Sequence, residues 1–295
     1  MKDFRIIAIG DNVCDKYLSR GKMYPGGQCV NTCVFAGMNG GKTAYLGKFG
    51  NDEVAACVQD TLKKLEIDYS HSRCYEGENG FALVTLKGND RVFLGSNKGG
   101  IAKEHTFAFN EKDLEYIKGF QLIYTNLNSY IEEELCELKE TNVPIAYDFS
   151  TRWTDDYLKK ICPYVTVAIL SCAHLSAEQR EEEMKKAQSA GVKIVLGTIG
   201  EDGSWVLYKD RFYYTKAVYA ENAIDTMGAG DSYFAAFLSS LLKSSKTGSL
   251  IEGSDEEMKE RLLTAMEKGS VFSAKVCAME GAFGYGVPIA GKTEL

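Results

Sequence analysis

The segment Ile224-Asp225-Thr226-Met227-Gly228-Ala229-Gly230-Asp231-Ser232 runs straight into an apolar stretch at 233–238. Small residues make a tight turn there, and a carboxylate stands where the turn becomes a helix. Gly228 and Gly230 can take positive φ values, which would aim successive backbone N–H groups into one concavity. The helix would add its unpaired N–H groups and the positive end of its dipole. Such a place attracts an anion. Asp231 beside it is electrostatically unfavourable unless the carboxylate has a task. The task that fits is to accept the proton of a hydroxyl attacking a phosphoryl group. Asp231 is thus the candidate base, with Gly228, Ala229 and Gly230 framing the anion.

Three other segments carry polar groups at useful places. Pro25-Gly26-Gly27-Gln28-Cys29-Val30-Asn31 sets paired glycines before a helix marked by Val30, Val34 and Met38. Asn31, one turn inside, can both give and accept hydrogen bonds, although taken alone the segment is better explained as an ordinary glycine-rich helix start. Gly10-Asp11-Asn12-Val13-Cys14-Asp15 follows the first expected strand. Ligands of open parallel sheets bind outside such strand ends. Asp11, Asn12 and Asp15 suit sugar hydroxyls there, and a plain polar exit loop is the alternative. Thr198-Ile199-Gly200-Glu201-Asp202-Gly203 could set backbone and a hydroxyl near nucleotide phosphates. It lacks the dinucleotide fingerprint and is weak alone. Gly41-Lys42-Thr43 imitates the end of a P-loop, but Ala36 stands where glycine is needed and a strand follows.

Composition narrows the partners. The chain has 295 residues and a net charge of −7, a poor match for nucleic acid or an anionic membrane. Any polyanion must meet a local positive potential. The nine cysteines are scattered without a CxxC pair, and no export signal is evident at Met1-Lys2-Asp3-Phe4. Reduced thiols in the cytoplasm are the expectation. No apolar run nears the ~20 residues that span a bilayer. The three histidines, His71, His105 and His174, are isolated, so neither a histidine metal site nor a Ser/His/Asp triad is expected.

Short apolar runs at 6–9, 43–46, 122–124, 144–147, 165–170 and 193–196 lack strict alternation, as suits strands covered on both faces. Helical patterns alternate with them: one follows Asn51-Asp52, one opens at Thr154, and a long one runs from about 256 to 278. Ser129-Tyr130-Ile131-Glu132 and Ser176-Ala177-Glu178-Gln179 read as capping boxes. The alternation predicts an α/β fold with crossover connections. Residues 12–25 and 69–98 break the rhythm. The second contains apolar runs at 81–86 and 91–94 joined at Gly88-Asn89-Asp90, a hairpin signal. Both regions are expected in a small antiparallel sheet. Phe81, Ala82, Leu83 and Val84 are apolar on both faces, which predicts one face over a ligand and the other against a second subunit. Packing on the main domain is the simpler alternative.

These segments, in this order, resemble the ribokinase-like (PfkB) carbohydrate kinase family over nearly the whole chain. The resemblance is carried by residues 225–231, by Gly26-Gly27 through Asn31, and by Gly47-Lys48-Phe49-Gly50-Asn51-Asp52. Asn89-Asp90-Arg91-Val92-Phe93 and Asp148-Phe149-Ser150 with Trp153 are similar to the branch acting on fructosamines. The resemblance implies a three-layer αβα sandwich with a mostly parallel central sheet plus a small antiparallel lid, all in one domain over 1–295. It implies ATP-dependent phosphoryl transfer to the 6-hydroxyl of a sugar or fructosamine. Fructose, 2-keto-3-deoxygluconate or a nucleoside are alternative acceptors, and a non-catalytic sugar sensor is an alternative of another class. It assigns Asp11, Asn12, Asp15, Gly26, Gly27, Asn31, Arg91 and Arg152 to the acceptor. Thr198, Gly200, Gly203, Gly228, Gly230 and Ser270 fall to ATP, and Asp225 to a monovalent cation such as K⁺. Mg²⁺ is implied with ATP, although Ser171-Cys172-Ala173-His174 replaces the Asn-x-x-Glu that many relatives use for it. The expected partners are a small-molecule acceptor and a second copy of the chain through the lid sheet.

Overall fold

The computed structural model describes residues 3–87 and 90–294, the side chains of Asp90 and Arg91 excepted. The turn expected at 88–90 and the Arg91 side chain therefore lie outside the described residues. The chain begins β1 (Arg5–Gly10), β2 (Val13–Tyr17), β3 (Lys22–Gly26), α1 (Gln28–Met38), β4 (Lys42–Phe49), α2 (Glu53–Lys64), β5 (Arg73–Cys74), β6 (Gly80–Lys87) and β7 (Asp90–Ser96). Next come α3 (Ile101–Glu104), α4 (Glu111–Ile117), β8 (Leu122–Asn126), α5 (Leu135–Glu140), β9 (Ile145–Asp148), α6 (Asp155–Ile161), β10 (Val167–Ser171) and α7 (Ala177–Ser189). Last are β11 (Ile194–Thr198), β12 (Ser204–Tyr208), β13 (Arg211–Thr215), α8 (Ala229–Ser244), α9 (Asp255–Val276) and β14 (Val287–Pro288).

The main sheet runs β13-β12-β11-β10-β9-β8-β1-β4-β5. It is parallel from β5 to β11, and β12 and β13 close it as antiparallel strands. Strand β1 shows why helices must cover both faces: Ile6, Ile7, Ala8 and Ile9 are all fully buried. Ile6 and Ala8 join the core that holds Phe35 of α1, Phe237 of α8 and Leu262 of α9. Ile7 and Ile9, one pleat away, join Leu138 of α5, Leu158 of α6 and Met184 of α7. Side chains alternate along a strand, so one apolar run feeds two cores and fixes three layers.

Helix starts largely follow local chemistry. Asp52 accepts the Ala55 N–H at 2.9 Å, Thr154 the Tyr157 N–H at 3.2 Å. Reciprocal capping boxes open α7 at Ser176 and Gln179 and α9 at Ser254 and Glu257. The box expected at Ser129 is absent. That residue is buried in a turn, and α5 starts only after Glu134, with no side-chain cap.

The second sheet runs β14-β3-β2-β6-β7, antiparallel except for the β2–β6 pair. It departs from the sequence expectation in three ways. Residues 73–74 belong to the main sheet, paired with β4. A strand at 287–288 adds to its edge at β3. The two faces of β6 are both covered within this chain: Phe81, Ala82, Leu83 and Val84 are at most 7% exposed. Packing against the main domain, not a second subunit, explains their apolar character. Lys16 in β2 is fully buried. Its ammonium lies 4.2 Å from the Phe81 ring centroid and donates to the carbonyls of Ala290 at 2.8 Å and Lys292 at 2.6 Å.

Removing a fully buried aromatic ring leaves a cavity and costs about 3–5 kcal/mol. Phe81→Ala is therefore expected to lower unfolding stability by about that amount in urea titration. Unchanged stability would show that the second sheet is not packed this way.

Candidate active site

The carboxyl ends of β1, β8, β9 and β11 bring Gly10, Asn126, Asp148 and Thr198 to one edge of the main sheet. Helix α1 starts there from Gly27, whose φ is +99°. A Cβ on Gly27 would stand 3.0 Å from the Asn12 Cα and 3.0 Å from Asp11 Oδ2, so only glycine fits. Asp11 then closes this helix end. Its Oδ2 accepts the Gln28 N–H at 2.8 Å, and its Oδ1 accepts the Cys29 N–H at 3.0 Å and the Asn126 amide at 2.7 Å. Asn12 is used internally as well. Its amide donates to the Tyr45 hydroxyl and the Lys48 carbonyl, each at 2.8 Å, and its oxygen accepts from Asn79 at 2.9 Å. Both residues are buried and hold the scaffold under the cleft.

Asn31 and Asp231 meet across α1 and α8. The Asn31 amide donates to Asp231 Oδ2 at 2.7 Å. Asn31 Oδ1 is buried and has no hydrogen-bond partner among the described residues. A Cβ built on Gly26 would lie 3.7 Å from that oxygen and 2.8 Å from Asp15 Oδ2. Asp15, Gly26 and Asn31 are thus close neighbours, and the missing side chain of Gly26 leaves room for the Asp15 carboxylate. A buried acceptor without a donor is costly, and a hydroxyl reaching it would satisfy it.

Helix α8 begins after Gly228, whose φ is +72°. A Cβ on Gly228 would come within 2.8 Å of Ala282 Cβ and 3.3 Å of the Phe35 ring. Gly230 differs from expectation: its φ is not positive, because it already lies in the first helical turn. Its contribution is room, since a Cβ there would meet nothing closer than 3.9 Å. No hydrogen bond among the described residues uses the N–H of Gly228 or Gly230. The Ser273 hydroxyl fixes this turn from below by donating to the Ala229 carbonyl at 2.8 Å. The geometry provides open N–H donors, a helix N-terminus and a carboxylate held at one edge, the arrangement suited to moving a phosphoryl group.

Asp225 sits under the same turn, fully buried. Its Oδ1 accepts the Met227 N–H at 3.0 Å, and its Oδ2 accepts the Gly281 N–H at 3.1 Å and faces the Arg20 guanidinium at 3.5 Å. This donor set fits an anion satisfied by N–H groups and does not fit a cation ligand, contrary to the sequence expectation. Among the described residues no three His, Cys, Asp or Glu side chains converge on a metal site.

Sequence reasoning gave no role to Asp148, Gln28 or Asn128, which line the opposite wall. Asp148 accepts from the Gln28 amide at 2.7 Å, the Tyr124 hydroxyl at 3.4 Å and the Ser150 N–H at 2.6 Å. Gln28 accepts from the Asn128 amide at 2.7 Å, and Asn128 accepts from Arg152. Burial, and then the charge of Asp231, push the Asp148 carboxyl up to about 8. The same burial and the Asp148 charge raise the Tyr124 hydroxyl well above its ordinary value. The available signal was Asp148 at the end of an apolar run in a sheet whose strand ends all face the cleft.

The expected ATP residues are placed unevenly. Gly200 has φ +61° and open space around it. Gly203 is required by packing, since a Cβ would lie 2.1 Å from the Thr215 carbonyl oxygen. Its neighbour Ser204 hydrogen-bonds the Tyr233 hydroxyl at 2.6 Å, which joins this loop to the start of α8. Ser270 accepts the Val218 N–H at 2.6 Å and braces the loop after β13. Thr198 ends β11 beside Ser171.

Residues 4–283 match the model of the pfkB family carbohydrate kinases. The chain is similar to fructosamine kinase FrlD of Bacillus subtilis (strain 168), with 40% identity covering 96% of this chain and 94% of that one. It is 29% identical to fructoselysine 6-kinase of Escherichia coli (strain K12), covering 79% and 87%. Arabidopsis thaliana ribokinase, solved with ribose and ATP, superposes with a TM-score of 0.76 at 17% identity, covering 95% of each chain.

A carboxyl raised by folding stabilises the native state fully below its unfolded value, about 3.9, and that contribution is lost as pH rises through about 8. Asp148→Asn removes the ionisation. Between about pH 5 and pH 8.5 the melting temperature of the unmodified chain should therefore fall relative to that of the variant. Parallel melting curves would show that Asp148 is not shifted upward.

Proposed function

Because the chain belongs to the pfkB family of carbohydrate kinases, we propose that it transfers the γ-phosphoryl group of ATP to the primary 6-hydroxyl of a fructosamine, with fructoselysine as the acceptor. The kinase activity follows from the family. The acceptor is supported by the extent of the likeness to the Bacillus fructosamine kinase and the Escherichia coli fructoselysine 6-kinase. The observation that carries the mechanism is the Asn31–Asp231 hydrogen bond at 2.7 Å, at the open start of α8.

Asn31 orients the Asp231 carboxylate toward the acceptor. The unpaired Oδ1 of Asn31 and the Asp15 carboxylate receive sugar hydroxyls, which fixes the ring. A hydroxyl has a pKa near ~15.7 and a free Asp one near ~3.9. Complete deprotonation before attack would cost about 16 kcal/mol. Asp231 therefore orients the hydroxyl and takes its proton late, as the bond to phosphorus forms. The N–H groups of Gly228 and Gly230, with the α8 dipole, receive the charge on the migrating phosphoryl oxygens. Arg152 stands at the mouth, linked through Asn128 and Gln28 to Asp148.

Mg²⁺ fits as a companion of ATP held by phosphate oxygens and water, where it would neutralise phosphate charge, since no three His, Cys, Asp or Glu side chains converge among the described residues. Potassium at Asp225 does not fit, since the carboxylate already faces Arg20 and two N–H groups. The second sheet covers the cleft through Asp15 and excludes water. A second copy of the chain meets it along β7, where Val92, Phe93 and Leu94 are 37%, 56% and 50% exposed. No helix among the described residues is long and apolar enough to cross a membrane.

Asp231→Asn should lower turnover by a factor of about 10³ or more while calorimetry finds ATP affinity within severalfold. Near-normal turnover in the folded variant would remove the assignment. Side-by-side rates should favour fructoselysine over fructose and 2-keto-3-deoxygluconate. Equal or reversed preference would reassign the acceptor. Phe93→Glu should shift gel-filtration elution toward the monomer, and an unchanged position would rule out pairing through β7.

A further inference from the structure

Arg20 lies in the turn between β2 and β3, and its Nη1 is 3.5 Å from Asp225 Oδ2. The Asp225 side chain is fully buried, and the Arg20 side chain is 22% exposed. The guanidinium also lies 5.3 Å from the Tyr17 ring centroid. Tyr17 packs edge-on against Tyr24, whose hydroxyl donates to Glu280 at 2.6 Å. Three segments therefore meet at one buried carboxylate: the β2–β3 turn, the loop before α8, and residues 277–281, through Gly281.

A buried carboxylate needs a counter-charge as well as hydrogen bonds. A mobile monovalent ion could supply one, but only at a sufficient free concentration. A guanidinium is covalently attached, charged at every working pH, and planar. Here it lies on the approach to Oδ2, which also accepts the Gly281 N–H, while Oδ1 accepts the Met227 N–H. The loop so held leads directly into Gly228, whose φ is +72° and whose N–H has no hydrogen-bond partner among the described residues. Resting on the kinase reading above, we infer that Arg20 is the built-in cation of the Asp225 loop, so that the anion-binding turn keeps its shape and supports phosphoryl transfer without a bound monovalent metal ion. Arg20 touches no substrate and acts as a positioning residue.

The test compares turnover in potassium chloride with turnover in N-methylglucamine chloride at equal ionic strength. The unmodified chain should give the same kcat in both, within about twofold. Arg20→Met should lose about tenfold or more in kcat without potassium, and Arg20→Lys should recover most of it. Circular dichroism confirms that both variants are folded. Activation of the unmodified chain by potassium of about fivefold or more overturns the inference, as does full turnover of Arg20→Met without potassium. A second readout needs no acceptor: the melting temperature with ADP bound should be the same in both salts. A rise specific to potassium overturns the inference even if no sugar is phosphorylated. Absence of turnover on every acceptor, in both salts, would count against the kinase reading alone.

Discussion

Two helix N-termini point into one cleft, and the chain treats them oppositely. The start of α1 is closed by Asp11, which takes the N–H groups of Gln28 and Cys29. The start of α8 is left open, because the N–H groups of Gly228 and Gly230 have no hydrogen-bond partner among the described residues. Both helices carry positive partial charge at these ends. With one closed and the other open, an anion entering the cleft would find a single helix start to bind. The contact between Asn31 and Asp231 ties the closed end to the open one. The register of α1 against α8 therefore sets where the Asp231 carboxylate stands relative to the start of α8.

That arrangement forces several carboxylates into a small volume. Asp11, Asp15, Asp148 and Asp231 all border or underlie the cleft, and Asp225 lies below the turn. Like charges so close cannot all persist beside a polyphosphate. The structure resolves the conflict one residue at a time. Asp11 is met by helix N–H groups and an amide, and Asp225 by Arg20 and two N–H groups. Burial and the neighbouring charge of Asp231 drive Asp148 toward its protonated form. Asp231 is held by the Asn31 amide, and in the proposed reaction it faces the acceptor together with Asp15.

Much of this was legible in the sequence, because its signals are local. The apolar runs without alternation placed the parallel strands, and small residues before an apolar stretch placed the start of α8. Caps at Asp52, Thr154 and Ser176 follow from the short range of a side-chain oxygen. Ser129 failed because a cap pattern needs a helix behind it, and the turn after Asn126 intervenes. What stayed hidden depends on contacts distant in sequence. The strand at 287–288 has only two residues and exists because β3 offers an edge. Arg20 and Asp225 are 205 positions apart. The apolar face of β6 was visible, but what covers it was not. Gly230 misled because glycine signals either unusual φ or missing bulk, and composition cannot separate the two.

The Lys16 ammonium donates to the carbonyls of Ala290 and Lys292, lies against the Phe81 ring, and shares a cavity with Asp52, Glu53 and Glu78. Asp15, the adjacent residue, presents its carboxylate to the cleft on the opposite side of the strand. The pleat makes the two positions rigidly interdependent. Residues near 290 thus bear on the position of Asp15 from behind, through Lys16 and β2. Shortening the chain there, or attaching a bulky fusion partner close by, would shift the Asp15 carboxylate without altering the residue itself.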